Sequence, residues 1–215
     1  MNKLKTKIKS GEHVLIAGMT GCGKTYLAKA YLANYPNVVV LDTKRTFNFM
    51  MEGKSLVNPD DVTVIENLSE ITSAKTRIII YRPVWLEQNK EFFNSFFEWV
   101  FKRGKCIVYV DEMMSVALNA RQEAMPEFAR AIYTQGRELG VSIWASTQRP
   151  ANIPLMCLSE ALHWFIFSLT VEADRMRVYN NSGYNEFLQK TPWHTFLYWK
   201  TNSNIPPKRG KLKLP

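Results

Sequence analysis

Eight residues carry the clearest chemistry in this chain. The stretch "GMTGCGKT", positions 18–25, follows a short apolar run, "HVLIAG". Glycines at 18, 21 and 23 let the backbone turn tightly and aim successive N–H groups at phosphate oxygens. A helix that starts here adds its positive end to the same charge. At this spacing Lys24 reaches the outer phosphates of a nucleotide and Thr25 sets a hydroxyl on Mg²⁺. Gly18, Met19, Thr20, Gly21, Cys22, Gly23, Lys24 and Thr25 therefore form the expected binding set for ATP and Mg²⁺.

Acids are needed to complete such a site, and "IVYVDE" supplies them. Asp111, at the end of a strongly β-like run, is expected to hold the water shell of Mg²⁺. Glu112 is expected to orient or deprotonate an attacking water. An Asp–Glu pair also begins turns and caps helices, so the pair means most beside the phosphate loop. A kinase uses a substrate hydroxyl as nucleophile and has no need of a water-activating acid there, so hydrolysis is the better reading. "STQRP" closes another strand run, and Gln148 could sit close to the terminal phosphate and report its loss. Arg130, Arg137 and Arg149 compete, on residue type alone, for the part of an arginine finger. Asp42, Lys44 and Arg45 in "VLDTKRTF", and Arg82 in "YRP", follow strand runs and fall on the ligand-facing edge of an open parallel sheet. His13, His163 and His194 are dispersed without metal-ligand spacing.

The positioning elements read as follows. Residues 13–17 form a first strand and 24–34 a helix, with Leu27, Ala30, Tyr31 and Asn34 on one side and Pro36 ending it. "NVVVLD" (37–42), "VTVIEN" (62–67) and "TRIIIY" (76–81) are strands, with 54–75 a small excursion. A helix around 89–102 carries Phe92, Phe93, Phe96, Phe97, Val100 and Phe101 at helical spacing, as core residues. Strand 106–113, helix 125–140 with a possible bend at Gly136, strand 141–150, strand 162–170, helix 172–183 and strand 193–200 follow. "NIPPKRGKLKLP" reads as irregular. Strands alternating with helical segments indicate an α/β fold with a mainly parallel central sheet flanked by helices. The expected divisions are a basic amino-terminal arm (1–10), one ATPase domain (11–200) and a basic, Pro-containing tail (201–215).

Composition narrows the classes. Net charge is +9 over 215 residues, with Lys3, Lys5, Lys7 and Lys9 at one end and Lys208, Arg209, Lys211 and Lys213 at the other. Such ends favour a polyanion, although solvated tails carry charge for nothing as well. Three cysteines without disulfide or metal spacing suit a reducing compartment, and Cys106 and Cys157 read as small buried hydrophobes. "MNKLKTKIKS" lacks the apolar segment of a signal peptide, and "ALHWFIFSLT" is too short to span a bilayer.

Across roughly residues 12–170 the chain resembles the HerA/FtsK-type P-loop motor ATPases, and most of all the genome-packaging ATPases of tectivirus-like, membrane-containing double-stranded DNA viruses. "GMTGCGKT" and "IVYVDE" look like the two nucleotide motifs, "LDTKR" like the segment after the second strand, and "GRELGVSIWASTQRP" is the most telling match. The resemblance implies a RecA-like (ASCE) P-loop NTPase, with Arg137 as a finger acting in trans and Gln148 as the sensor. It also implies a homo-oligomeric ring, commonly hexameric, that translocates double-stranded DNA into a preformed capsid. Its partners would be capsid or packaging-vertex proteins, with only indirect membrane contact, and its place the packaging vertex of the virion and the host cytoplasm. Lys44, Arg45, Arg82 and the basic ends are candidates for DNA contact. The alternatives are an ATPase for protein assembly or secretion in phage morphogenesis, a small-molecule kinase, and a nucleotide-gated interaction module.

Overall fold

Four short strands explain the architecture. β1 (Val14–Ala17), β2 (Val38–Leu41), β6 (Ile78–Tyr81) and β7 (Ile107–Val110) read VLIA, VVVL, IIIY and IVYV, and every residue in them is buried. Continuous apolar runs of this kind belong to strands covered on both faces. The computed structural model describes residues 6–212, so Lys3, Lys5 and Lys213 lie outside the described residues.

The remaining elements follow from the same chain. Helix α1 (Lys24–Leu32) follows the phosphate loop, and a small hairpin pairs β3 (Met50–Met51) with β4 (Lys54–Ser55). β5 is Val62–Ile65, and α2 (Lys90–Arg103) packs beside α4 (Glu127–Leu139). A one-turn helix, α3 (Met113–Val116), follows β7 directly. β8 (Ser142–Thr147), α5 (Met156–Ser159), β9 (His163–Phe167), α6 (Glu172–Ser182), β10 (Thr195–Lys200) and β11 (Lys208–Lys211) complete the order.

Nine of the described strands form one sheet, in the order β11-β10-β9-β1-β8-β7-β2-β6-β5. The seven strands from β9 to β5 run parallel, and β10 and β11 add an antiparallel edge. Alternate side chains point to opposite faces. Leu15 and Ala17 of β1 join Phe93, Phe96, Phe97 and Ile132 in one core; Val14 and Ile16 join Leu27, Ala28 and Leu32 in the other. This is the α/β, mainly parallel architecture expected from the strand–helix alternation.

Several local expectations need correction. Helix α1 ends at Leu32, and its buried side is Leu27, Ala28 and Leu32; Ala30 and Asn34 are exposed. Phe92 and Phe101 are only partly buried, on the flanks of the α2 stripe. The excursion at 54–75 contributes β5, which forms the far edge of the main sheet. The segment after residue 200 is not irregular throughout, because β11 pairs along β10 from Thr195↔Lys211 to Tyr198↔Lys208. Gly136 is required by the end of α4. It lies where the helix closes back on itself: Val141 N–H donates to Gly136 O at 2.8 Å and Gly140 N–H to Arg137 O at 3.2 Å, a Schellman ending with Gly140 at φ 67°. A Cβ on Gly136 would stand 2.6 Å from the Val141 carbonyl oxygen, so only glycine fits.

The arm is anchored at its inner end. Ile8 is buried, and the Tyr35 hydroxyl donates to its carbonyl at 2.7 Å.

Candidate nucleotide-hydrolysis site

The site stands at the carboxyl edge of the parallel strands. The loop leaves β1 with Gly18 N–H donating to Thr147 O at 3.1 Å and Met19 N–H to Ser168 O at 2.9 Å, which ties it to the ends of β8 and β9. Contact requires glycine at 18, and a positive φ favours it at 23. A Cβ on Gly18 would stand 2.5 Å from Phe167 Cβ, and one on Gly23 would stand 2.2 Å from Leu212 Cδ1, with Gly23 at φ 108°. Gly23 then begins α1, whose first N–H groups point back into the loop.

Lys24 is buried, and its ammonium donates to Gly18 O at 2.6 Å and Met19 O at 3.0 Å. Burial pushes its pKa below the usual lysine value. The ammonium is thus held inside the loop, where a phosphate chain would meet it.

β8 lies between β1 and β7, so Asp111 and Glu112 face the loop from one strand beyond. Thr25 Oγ1 donates to Asp111 Oδ1 at 3.4 Å, and the buried Tyr109 hydroxyl donates to the same oxygen at 2.9 Å. Burial drives the Tyr109 phenol far above its ordinary pKa, so it stays a donor. Lys44 Nζ stands 3.4 Å from Glu112 Oε2 and 3.9 Å from Asp111 Oδ2, and its charge offsets the repulsion between the two acids. The other Glu112 oxygen, Oε1, is buried and has no hydrogen-bond partner among the described residues. It is the free acceptor that a general base needs.

These groups suit a hard divalent cation. One hydroxyl and one carboxylate meet at Thr25 and Asp111, and no group of three or more His, Cys, Asp or Glu gathers among the described residues. Mg²⁺ binds in that way, through one or two protein oxygens with phosphate and water supplying the rest.

Gln148 follows β8 directly, and its Oε1 accepts the Thr20 hydroxyl at 2.7 Å. The strand that carries it lies beside both β1 and β7, as a sensor between loop and acids requires. The next residue is locked from behind. Arg149 Nε donates to Asp174 Oδ2 at 2.7 Å, and Ala151 N–H to Asp174 Oδ1 at 3.0 Å.

Not every candidate converges here. Arg137 is exposed in the last turn of α4, before β8 begins, so the whole depth of β8 separates it from its own loop. Arg82 and Arg45 are both engaged by neighbouring groups, Arg82 part-buried and Arg45 at the surface. Arg82 donates to the fully buried Asp42 at 3.1 Å and to Phe47 O at 2.6 Å; Arg45 pairs with Glu66 and donates to Arg82 O at 3.0 Å. Asp42 also accepts Thr46 N–H and Phe47 N–H, so it fastens the turn after β2. Lys44, Arg45 and Arg82 are thus each held by an acid of this chain, with Lys44 and Arg45 still exposed. From the sequence Lys44 is one of three residues after the second strand that could support the site or couple it to a substrate, and its pairing with Glu112 is specific to the fold. The signal was strand adjacency: β2 pairs with β7, Leu41 opposite Val110, so the residues just past each strand share one corner.

Residues 14–166, more than half of the chain, match the ATPase family associated with various cellular activities (AAA). No curated protein matches the chain in sequence. Among solved structures it is similar to the genome packaging NTPase B204 from Sulfolobus turreted icosahedral virus 2 in complex with AMPPCP. That likeness has a TM-score of 0.74 at 18% identity and covers 96% of this chain and 100% of the other. B204 of Sulfolobus turreted icosahedral virus, described as a DNA-packaging ATPase, gives 0.70 at 18% identity over 95% and 98%. The N-terminal domain of zonular occludens toxin from Neisseria meningitidis gives 0.52 at 18% identity over 95% and 94%. At these identities the likeness is one of fold.

Proposed function

The chain belongs to the AAA family of ATPases, and from that premise we propose that it is an ATP-driven motor that packs double-stranded viral DNA into a preformed capsid. It binds and hydrolyses ATP as a P-loop NTPase; the work that hydrolysis performs is the proposal. The observation that carries it is the end-to-end likeness to packaging NTPases, which leaves almost nothing of either chain unaligned.

In this reading the loop N–H groups cradle the phosphates and Lys24 turns to the outer ones. Thr25 and Asp111 hold Mg²⁺, which offsets charge on the transferring phosphoryl group when bound. Glu112 Oε1 accepts the proton of the attacking water while Lys44 steadies Oε2. Gln148, on Thr20, senses loss of the terminal phosphate. Arg137, too far from its own loop, completes the loop of a neighbouring subunit in a ring, here taken as a hexamer. Besides Lys44, Arg45 and Arg82, the exposed Lys208, Arg209 and Lys211 of edge strand β11 and Lys7 and Lys9 are the DNA-contact candidates among the described basic ends. No described helix is long and apolar enough to cross a membrane.

The test is the ATPase rate with and without long double-stranded DNA across protein concentration. Stimulation by DNA with a steep rise on assembly is expected; equal rates under all conditions would overturn the motor reading. Mixing Arg137→Ala with Glu112→Gln chains tests the finger. Each alone should be inactive, and the mixture should regain activity at interfaces that pair an intact Glu112 with a neighbour's intact Arg137. Full turnover by Arg137→Ala alone removes that assignment.

A further inference from the structure

The segment between α6 and β10 has no part in hydrolysis, yet it leans on the phosphate loop. A Cβ on Gly21 would stand 3.4 Å from Trp193 Cζ2 and 3.8 Å from Cη2, so the indole lies over the middle of the loop. Half of Trp193 is exposed, 51%, although a fully buried tryptophan, Trp164, lies one strand away on β9. The turn that holds it is fastened on both sides. Thr195 N–H donates to Pro192 O at 3.0 Å, the Thr191 hydroxyl to Thr195 O at 3.0 Å, and Leu212 N–H to His194 O at 2.9 Å. His194 takes φ 56°, and its buried Nδ1, without a partner among the described residues, lies 3.6 Å from where a Cβ on Gly23 would stand. A large aromatic side chain is thus fixed beside the loop and left half open.

The sheet order says what meets it. Asp111, Glu112 and Gln148 all lie on one flank of β1, at the ends of β7 and β8. The terminal phosphate must point to that flank to be hydrolysed. A nucleoside triphosphate is a linear chain, so its base leaves on the opposite flank, toward β9 and β10. β10 is antiparallel, which brings its beginning level with the carboxyl end of β9, Phe196 opposite Phe167. Trp193 stands just before that point. Resting on the reading of the loop as a nucleotide site, we propose that Trp193 is the platform on which the purine base of the bound nucleotide stacks.

Stacking on a π-face tolerates any base that is large and flat, so ATP and GTP should bind alike while inorganic tripolyphosphate gains nothing from Trp193. The experiment measures equilibrium binding of ATP, GTP and tripolyphosphate to the full chain and to Trp193→Ala and Trp193→Phe. Trp193→Ala should weaken ATP and GTP by about tenfold or more and leave tripolyphosphate unchanged. Trp193→Phe should keep most of the ATP affinity but lose the ATP-induced change in tryptophan emission. Unchanged ATP affinity in Trp193→Ala overturns the proposal, as does an equal loss for tripolyphosphate, which would mean a damaged loop. A wild-type chain that binds neither ATP nor tripolyphosphate sinks the nucleotide-site reading itself, and the stacking proposal with it.

Discussion

Acid should loosen this fold through His13, at the base of the strand that carries the phosphate loop. The ring is buried, 6% exposed, and burial pushes its pKa from the usual 6.5 down to about 4. Nδ1 accepts the Ile143 N–H at 2.9 Å, so a proton there would cost the hydrogen bond that links the start of β1 to β8. The unfolded chain takes up a proton near pH 6.5 that the native chain refuses until about pH 4. A depressed histidine pKa therefore contributes stability that is present above pH 6.5 and is lost as pH falls toward 4. The gap between 6.5 and about 4, at about 1.4 kcal/mol per pH unit, amounts to roughly 3.5 kcal/mol below both values and roughly 2.5 kcal/mol by pH 4.5. His163, whose pKa burial also lowers, adds to the slope in the wild type, so the difference between chains isolates His13. His13→Asn retains an acceptor for Ile143 N–H and cannot titrate. Urea unfolding at pH 7.5, 6.5, 5.5 and 4.5 should show the wild type losing about 2.5 kcal/mol more than His13→Asn over that range. Parallel pH profiles for the two chains would refute the reasoning.

Other outcomes follow from the same contacts. Glu112→Gln should lower kcat by about 10²- to 10⁴-fold while ATP still binds, because an amide cannot take up the proton that the free carboxylate oxygen Oε1 would accept and the loop is untouched; single-turnover assays and nucleotide binding read the two separately. Gly136→Ala, which in an ordinary helix gains about 1 kcal/mol, should instead lower the melting temperature, because overpacking against backbone costs about 1–3 kcal/mol and the Val141 carbonyl stands 2.6 Å from the new methyl. Asp174→Ala leaves the Ala151 N–H and Arg149 without their acceptor; it should cost about 1–3 kcal/mol in denaturant unfolding and lower turnover, since the turn it fastens begins at Gln148.

How far the sequence could be read depended on the range of the interactions. The phosphate loop was legible because its chemistry is contiguous: Gly18 to Thr25 turn, cradle and donate within eight residues, and β1 and α1 follow at once. The buried strands were legible because VVVL, IIIY and IVYV leave no polar face. The tail was not, because Lys208–Lys211 has no apolar alternation of its own and becomes a strand only by pairing with β10. Gly136 reads only as a possible bend, since nothing in the helix shows that the Val141 carbonyl will fold back onto it.

By itself, then, the sequence determined that a phosphate loop and two acids exist, and that the strands bearing them are buried, because those properties reside in residue type and short spacing. The tertiary structure decided what each charge is for. Lys44, Arg45 and Arg82 look alike as cations after strands. Only the sheet order brings Lys44 onto Glu112 and turns the two arginines onto Asp42 and Glu66. The same order leaves Arg137 at the wrong end of β8 for its own loop and lays Trp193 against Gly21, far along the chain. Such meetings are set by which strands pair, and pairing is a property of the packed sheet that no local stretch encodes.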